Sequence, residues 1–248
     1  MENNMQINNL NVQKGQKQII KGLNLKLEPG INILMGPNGC GKTTLSYTIA
    51  GHPDCEVLSG DINYKNTNIL DNDIQERSLK GIYLAPQYPS VIEGLSHAAL
   101  MKEAINIRKS KDNQEQLDEF DFLTLLKNKA SQFNFNPKDY IRNSLNYGYS
   151  GGEKKRNEML QISLLNPSFI ILDEIDSGLD IEAMKYIATF INEYASKNNS
   201  TFLIITHYPN FARLLDVKKV YIMKDGNIHK TGNIDLISNV ESEGFGDK

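Results

Sequence analysis

The sequence has little cysteine and no long apolar run. Its 248 residues include two cysteines, Cys40 and Cys55, with neither the spacing of a zinc site nor the dense pattern of a disulfide scaffold. No apolar stretch approaches the roughly 20 residues that a membrane-spanning helix needs. We therefore expect a protein of a reducing compartment such as the cytoplasm, with no direct membrane insertion.

A targeting segment and a strong charge bias are also missing. The first six residues show neither a secretory signal nor an Arg-rich transit pattern. The formal net charge is -3, and the one dense basic cluster is Lys154-Lys155-Arg156, so nucleic acid is not an expected partner. With 40 % hydrophobic and 23 % charged residues, the composition predicts a globular protein with one core and an inserted lobe.

A glycine-rich stretch at residues 36–44 is the strongest feature that is present. It fits G-x-x-x-x-G-K-[ST] between an apolar run and a helical pattern. Such a loop turns backbone N–H groups towards phosphate oxygens, Lys42 adds positive charge, and the Thr43 hydroxyl can bind Mg²⁺. A glycine-rich turn without a ligand is the alternative, but both flanks have the required type. The predicted ATP-binding residues are Gly36, Pro37, Asn38, Gly39, Cys40, Gly41, Lys42, Thr43 and Thr44.

Alternating apolar and polar residues from Met5 to Leu27 predict an antiparallel β unit ahead of this loop. No aromatic residue occurs before Tyr47. Many sites of this kind stack adenine on an aromatic from this β unit, so here we expect aliphatic or polar contacts to the base and only modest base selectivity. Near the other end of the chain, an Asp-Gly turn at Asp225-Gly226 predicts a hairpin.

The apolar run 169–172 predicts a strand buried on both faces of a parallel sheet, which brings Asp173 and Glu174 to its carboxyl edge. There Asp173 can hold Mg²⁺, and Glu174 can orient and deprotonate a water that attacks a γ-phosphate. A turn into another helix follows. Its residues are Ser177, Gly178, Leu179 and Asp180.

Two further strands end in polar side chains at the same predicted edge. Gln87 follows the strand pattern 81–85 and can reach Mg²⁺ or the attacking water, although a surface glutamine is the default. His207 follows the strand pattern 201–206, where a structural and a catalytic histidine are equally compatible with the sequence.

A second anion-binding helix start is predicted at residues 150–153. Two glycines after Ser150 expose backbone N–H groups that suit a phosphate. The alternative is that Ser150 caps the helix with Glu153 in a capping box, and both can hold at once. The residues are Ser150, Gly151, Gly152 and Glu153.

The segment 96–147 changes to helical periodicity and predicts an inserted helical lobe, with residues 1–95 and 148–248 forming the β unit and catalytic core of a single domain. Four phenylalanines of this segment are expected in its core rather than in a binding site. They are Phe120, Phe122, Phe133 and Phe135.

These motifs occur in the order and rough spacing of an ABC-type ATPase, and the chain resembles the SufC family of ATPases over essentially its whole length. Transporter ATPases usually have Gln at the position of Glu153 and Pro-Thr at Ile175-Asp176. The residues that carry the resemblance are Ala50-Gly51-His52-Pro53, Tyr83-Leu84-Ala85-Pro86-Gln87-Tyr88-Pro89, Gly148-Tyr149-Ser150-Gly151-Gly152-Glu153-Lys154-Lys155-Arg156-Asn157-Glu158, Asp173-Glu174-Ile175-Asp176-Ser177-Gly178-Leu179-Asp180-Ile181, and Thr206-His207-Tyr208.

The resemblance implies an ABC-type α/β fold with an N-terminal antiparallel β unit, a parallel-sheet RecA-like core and the helical lobe. It implies ATP hydrolysis with Mg²⁺ held by Thr43, Gln87 and Asp173. It also implies a head-to-tail homodimer, in which Ser150 and Gly152 act in trans and residues 177–180 form a turn at the dimer contact.

The partners implied by the resemblance are SufB and SufD, the scaffold proteins of iron–sulfur cluster assembly, in the cytoplasm or in the stroma of an organelle that encodes the chain. They would be bound through residues 87–89 and the helical lobe, and ATP-driven dimerisation would remodel them. The rival interpretation is the ATP-binding subunit of a membrane transporter, which hydrolyses ATP in the same way.

Overall fold

The structure is a computed structural model that describes residues 4–245. The chain forms two compact units. The first contains the residues up to Gln87, residues 168–177 and the residues from Met184 onwards; the second contains Tyr88–Pro167 and Gly178–Ala183. The lobe boundaries predicted from sequence, at 96 and 147, stay predictions.

The elements of the described residues follow one another in this order. The strands are β1 (Met5–Lys14), β2 (Lys17–Leu27), β3 (Gly30–Met35), β4 (Glu56–Tyr64), β5 (Thr67–Asn68), β6 (Ile82–Ala85), β7 (Ile92–Ser96), β8 (Ser144–Leu145), β9 (Phe169–Asp173), β10 (Thr201–Ile205), β11 (Val217–Lys224) and β12 (Asn227–Gly232). The helices are α1 (Lys42–Ala50), α2 (Ile74–Leu79), α3 (His97–Lys111), α4 (Glu119–Ala130), α5 (Pro137–Arg142), α6 (Gly151–Leu165), α7 (Ile181–Asn198), α8 (Pro209–Ala212) and α9 (Asp235–Glu243), with a 3₁₀ turn at Ser131–Phe133.

The first unit contains an antiparallel sheet in the order β2-β1-β4-β5. Its apolar side chains face inwards because side chains alternate across a strand, and Met5, Ile7 and Leu10 of β1 are buried. The antiparallel β unit predicted from Met5 to Leu27 is confirmed.

The core sheet of the first unit has the order β12-β11-β3-β10-β9-β6. The strands from β11 to β6 run parallel, and β12 is added by the antiparallel hairpin that the Asp-Gly turn predicts. Every residue of β9 and β10 is buried, as expected for central strands of a parallel sheet. Since β3, β9 and β10 are neighbours, the residues after their carboxyl ends come together at one edge.

The second unit is mainly helical, with α3 and α4 packed beside α6, α5 packed on α3 and α4, and a short β7–β8 ladder. Phe122 and Phe133 lie in its core with 1 % and 2 % exposure. Phe120 is 77 % exposed, so the expectation that it belongs to the core is wrong. It lies on the second residue of α4, where the buried stripe of the helix is formed by Phe122, Leu126 and Ala130 instead.

Across residues 4–245, no helix combines the length and the apolar character that crossing a bilayer requires.

A candidate nucleotide site at the edge of the core sheet

The glycine-rich loop joins β3 to α1 and folds around the side chain of Lys42. Lys42 Nζ donates hydrogen bonds to Gly36 O at 2.9 Å and to Pro37 O at 3.0 Å. A Cβ on Gly36 would meet Met223 O at 2.1 Å, so only glycine lets the loop run this close to β11. Burial lowers the pKa of Lys42, which a bound anion would counteract. The charge of Lys42 and the positive end of α1 therefore both favour binding of an anion at this loop.

A cavity of about 720 Å³ opens over this loop. It brings together most of the predicted site: Asn38, Gly39, Gly41, Lys42, Thr43, Thr44, Gln87, Glu174 and His207. Gly36, Pro37, Cys40 and Asp173 do not line it. Two lining residues that sequence reasoning did not assign are Ile19 of β2 and the half-exposed Tyr208, which follows His207.

Ile19 lies where β2 passes the start of α1. A Cβ on Gly41 would meet Ile19 Cγ2 at 3.2 Å, so the two residues are in close approach. The cavity wall is therefore aliphatic on this side. Contact of such a wall with the base of a nucleotide stays a prediction.

Asp173 ends β9 and is 1 % exposed. Ser46 Oγ donates to its Oδ2 at 3.3 Å, while its Oδ1 has no hydrogen-bond partner in the protein. Burial raises the pKa of Asp173, and hydrogen bonding from Thr43 opposes that rise. Ser46 was missed from the sequence because its contact joins residues that are far apart in the chain.

Glu174 is held between Gln87 and His207 at the carboxyl ends of β6, β9 and β10. Gln87 Nε2 donates to Glu174 Oε2, and His207 Nε2 lies 3.2 Å from Glu174 Oε1. The backbone of Glu174 has φ +51°, a left-handed conformation that is uncommon for glutamate, and its N–H donates to Ile205 O at 2.9 Å. Burial and the charge of Lys42 lower the pKa of His207, so its ring is neutral near pH 7.

The predicted second anion site lies in the second unit, at the start of α6. Ser150 is the N-cap: its Oγ accepts from the backbone N–H of Glu153 at 3.3 Å. Glu153 Oε2 in turn accepts from Ser150 N at 2.8 Å and from Ser150 Oγ at 2.7 Å. These hydrogen bonds lower the pKa of Glu153. The capping box is confirmed, and phosphate binding by the same residues and the following Gly151 and Gly152 stays a prediction.

The turn at residues 177–180 follows β9. Gly178 has φ +70°, which favours glycine, and Asp180 Oδ1 accepts from the backbone N–H of Ala183 at 2.7 Å at the start of α7. A further buried contact was missed by the sequence reading: Thr206 Oγ1 donates to Asp176 Oδ2. It joins the segments that follow β9 and β10. The role of Leu179 and its neighbours at a dimer contact stays a prediction.

Comparisons with known proteins agree on a family. A family model described as ABC transporter matches residues 20–177. A protein of Escherichia coli (strain K12) named "Probable ATP-dependent transporter SufC" is 40 % identical over 98 % of this chain and 97 % of its own length. The "Iron-sulfur cluster assembly protein SufC" of Plasmodium berghei (strain Anka) is 41 % identical over 97 % of this chain and 66 % of its own length.

Solved structures show the same fold. The dimeric ATP-binding cassette MJ0796, determined in a post-hydrolysis state with ADP and Pi, superposes with a TM-score of 0.76 at 18 % identity. The superposition covers 93 % of this chain and 98 % of that one. The predicted ABC-type α/β fold is confirmed.

Proposed function

The chain belongs to the ABC transporter family and is an ATPase, and we propose that it is the ATP-hydrolysing subunit of a complex that assembles iron–sulfur clusters. The observation that carries this proposal is the likeness, over 97 % of this chain and 66 % of the relative, to a protein named for iron–sulfur cluster assembly. The sequence at Glu153 and Ile175-Asp176, which differs from the usual transporter pattern, supports the same choice.

In the proposed reaction the glycine-rich loop binds the triphosphate through its backbone N–H groups and Lys42. Water attacks the γ-phosphorus, its proton passes to Glu174, and the bond from that phosphorus to the bridging oxygen breaks to release ADP. Gln87 and His207 both lie against Glu174 and so fix where its carboxylate points. A neutral His207 can donate one hydrogen bond to the γ-phosphate.

The residues present fit Mg²⁺, which ABC ATPases typically require. Mg²⁺ prefers oxygen ligands, and Asp173 offers a buried oxygen without a protein partner beside the Thr43 hydroxyl. We propose that Thr43, Asp173 and Gln87 hold the ion, directly or through water. Bound there, it would neutralise charge on the phosphates.

Hydrolysis in this proposal needs two copies of the chain, packed head to tail. Ser150 and Gly152 at the start of α6 of one copy close over the γ-phosphate held by the other, because the positive end of a helix attracts an anion. The turn at residues 177–180 lies at this contact. ATP binding therefore drives dimerisation, and release of phosphate reverses it.

We propose SufB and SufD as the partners of the dimer, bound through residues 87–89 and the helical unit, in the cytoplasm or an organelle stroma. Tyr88 is 81 % exposed and so is available to a partner. Dimerisation of two bound copies would then pull the scaffold proteins and open the place where a cluster is built.

The test is capture of partners by a tagged Glu174→Gln chain from its native extract, with and without ATP. Glu174→Gln keeps the phosphate loop, so it should hold ATP and the dimer. Lys42→Ala is the matched control, because it should not bind the triphosphate. We expect soluble SufB-like and SufD-like proteins, enriched by ATP only with Glu174→Gln, and faster ATP hydrolysis by the wild-type chain in that complex. Recovery of an integral membrane protein instead would favour the transporter interpretation.

A further inference from the structure

The loop that leads into the signature is a pair of tight turns. Residues 146–149, the signature loop, connect β8 to Ser150 at the start of α6. Asn146 and Gly148 both have left-handed backbones, with φ +57° and +74°. Inside the loop, the backbone N–H of Tyr149 donates to Asn146 O at 3.4 Å. A second backbone hydrogen bond, from Tyr147 N to Ser144 O at 3.1 Å, closes the first of the two turns. Both hydrogen bonds are local, and side chains outside the loop add the contacts that connect it to the rest of the unit.

His97 supplies such contacts at both ends of the signature loop. It is the first residue of α3 and has no exposed surface. Its Nε2 accepts a hydrogen bond from the backbone N–H of Asn146 at 3.0 Å. Its ring stacks on Tyr149, with a centroid distance of 5.1 Å and an interplanar angle of 19°, and on Tyr140, at 4.6 Å and 29°. One side chain thus holds the first and the last residue of the loop.

The Asn146 side chain connects the signature loop to two other segments through hydrogen bonds. Its Nδ2 donates to Ser90 O at 2.8 Å, and its Oδ1 accepts from Asn157 Nδ2 at 2.8 Å. Asn157 lies on α6, and Ser90 follows Gln87 by three positions in the chain. Asn146 is 2 % exposed, so these hydrogen bonds are shielded from water. The network ties the loop to α6 and to the segment after Gln87.

We infer that His97 is a positioning residue for Ser150: by holding both ends of the signature loop it fixes the start of α6 where it meets the partner copy's phosphate. The inference rests on the proposed action of the signature in trans. His97 touches no substrate and acts through Asn146 and Tyr149. A displacement of the segment after Gln87 would reach Ser150 through the same network, since Ser90 and the loop share Asn146.

Both properties of a histidine are used at this position. Phenylalanine would keep the stack on Tyr149 and lose the acceptor for Asn146. Asparagine would keep an acceptor and lose the stack. Burial lowers the pKa of His97, so the ring stays neutral and Nε2 keeps its lone pair near pH 7.

The first part of the test compares His97→Phe and His97→Asn with wild type. We expect kcat to fall roughly tenfold or more in each, because His97→Phe leaves the buried N–H of Asn146 without its acceptor and His97→Asn removes the stacking on Tyr149. Binding of a fluorescent ATP analogue to the phosphate loop should be unchanged. His52→Phe is the matched control: His52 also stacks on a tyrosine, Tyr47, at 4.8 Å, but in the first unit. It should keep the wild-type kcat. Circular dichroism and thermal unfolding confirm that each variant is folded.

The second part mixes two impaired chains. In a mixed dimer, the intact phosphate loop of His97→Phe meets the intact signature of Lys42→Ala. We expect the mixture to hydrolyse ATP faster than either chain alone, because the mixed dimer contains one complete site. Such a gain would also show that His97→Phe is folded, since a misfolded chain could not contribute a working phosphate loop. Ser150→Ala mixed with Lys42→Ala shows whether the signature acts in trans at all.

If the Ser150→Ala mixture gains activity and the His97→Phe mixture does not, the role of His97 is overturned and the proposed function stands. A wild-type kcat in both His97 variants also overturns it. If neither mixture gains activity, the signature residues do not act on the phosphate of the other copy. The proposed mechanism and the inference about His97 are then both refuted.

Discussion

Gly226 lies in the turn between β11 and β12, and its replacement by alanine should damage both stability and nucleotide binding. A Cβ at this position would meet Ile19 O at 2.1 Å, where real contacts stay beyond 3.0 Å. The atom in the way is backbone, so no side-chain rotation relieves the contact. The turn must move by about 1 Å, and two hydrogen bonds are at risk: Lys21 N to Gly226 O and Gly226 N to Cys40 O, each 3.0 Å.

The expected cost follows from these contacts. The left-handed backbone, φ +84°, costs alanine about 1 kcal/mol. Each hydrogen bond contributes about 1 kcal/mol more. The free energy of unfolding should therefore fall by about 3 kcal/mol, which lowers Tm by roughly 6–12 °C for a chain of this size. Because Gly226 N donates to Cys40 O in the phosphate loop, the affinity for a fluorescent ATP analogue should fall as well.

Gly15→Ala is the matched control for Gly226→Ala. Gly15 also has a left-handed backbone, φ +61°, but a Cβ there meets nothing within 4 Å. Only the backbone cost of about 1 kcal/mol should appear, with unchanged nucleotide affinity. Equal urea denaturation curves for the two variants would refute the argument, since they would show that the contact with Ile19 O carries no cost.

Four further predictions concern the site itself. Glu174→Gln should lower kcat by roughly 10²–10⁴ with ATP affinity retained, measured by steady-state hydrolysis and equilibrium binding; normal turnover would show that Glu174 is not the base. Because burial lowers the pKa of His207, the stability it contributes is present above about pH 6.5 and is lost as the pH falls below that value. His207→Gln should remove this acid-side loss, measured as the free energy of unfolding at pH 7 and pH 5. Asp173→Asn should raise the Mg²⁺ concentration needed for half-maximal hydrolysis, and an unchanged Mg²⁺ titration would exclude Asp173 as a ligand. With the aliphatic Ile19 at the cavity wall, ATP and GTP should bind with similar affinity in competition measurements, and a strong preference for ATP would contradict this.

The elements that the sequence predicts best are those whose signal is local. The phosphate loop is contiguous, with its glycines, lysine and flanking elements all within residues 31–50, and the structure folds it as expected. The central strands were recognisable because β9 and β10 are apolar on both faces, and the hairpin because Asp225-Gly226 permits a tight turn.

What the sequence could not give is the pairing of side chains that are distant in the chain. Gln87 and Glu174 are 87 residues apart, and their hydrogen bond exists only because β6 and β9 are neighbours in the sheet. His97 carries no motif, and its contact with Asn146 depends on how α3 packs within the helical unit. The expectation that Phe120 is buried is wrong because composition does not show which face of α4 is buried.

In the proposed head-to-tail dimer, the capping box at the start of α6 would limit how tightly two copies bind each other. The Glu153 carboxylate already occupies the N–H and O–H donors of Ser150 that a phosphate would use. A γ-phosphate that binds here, as proposed, would have to displace the Glu153 carboxylate from Ser150, and it would gain only the difference in free energy between the two interactions. Closure of the proposed dimer would then exchange the Glu153 carboxylate for a phosphate at Ser150, instead of filling an open site. In the proposed dimer, such an exchange would weaken the contact enough for the two copies to separate after hydrolysis, and the Glu153 carboxylate would then bind Ser150 again.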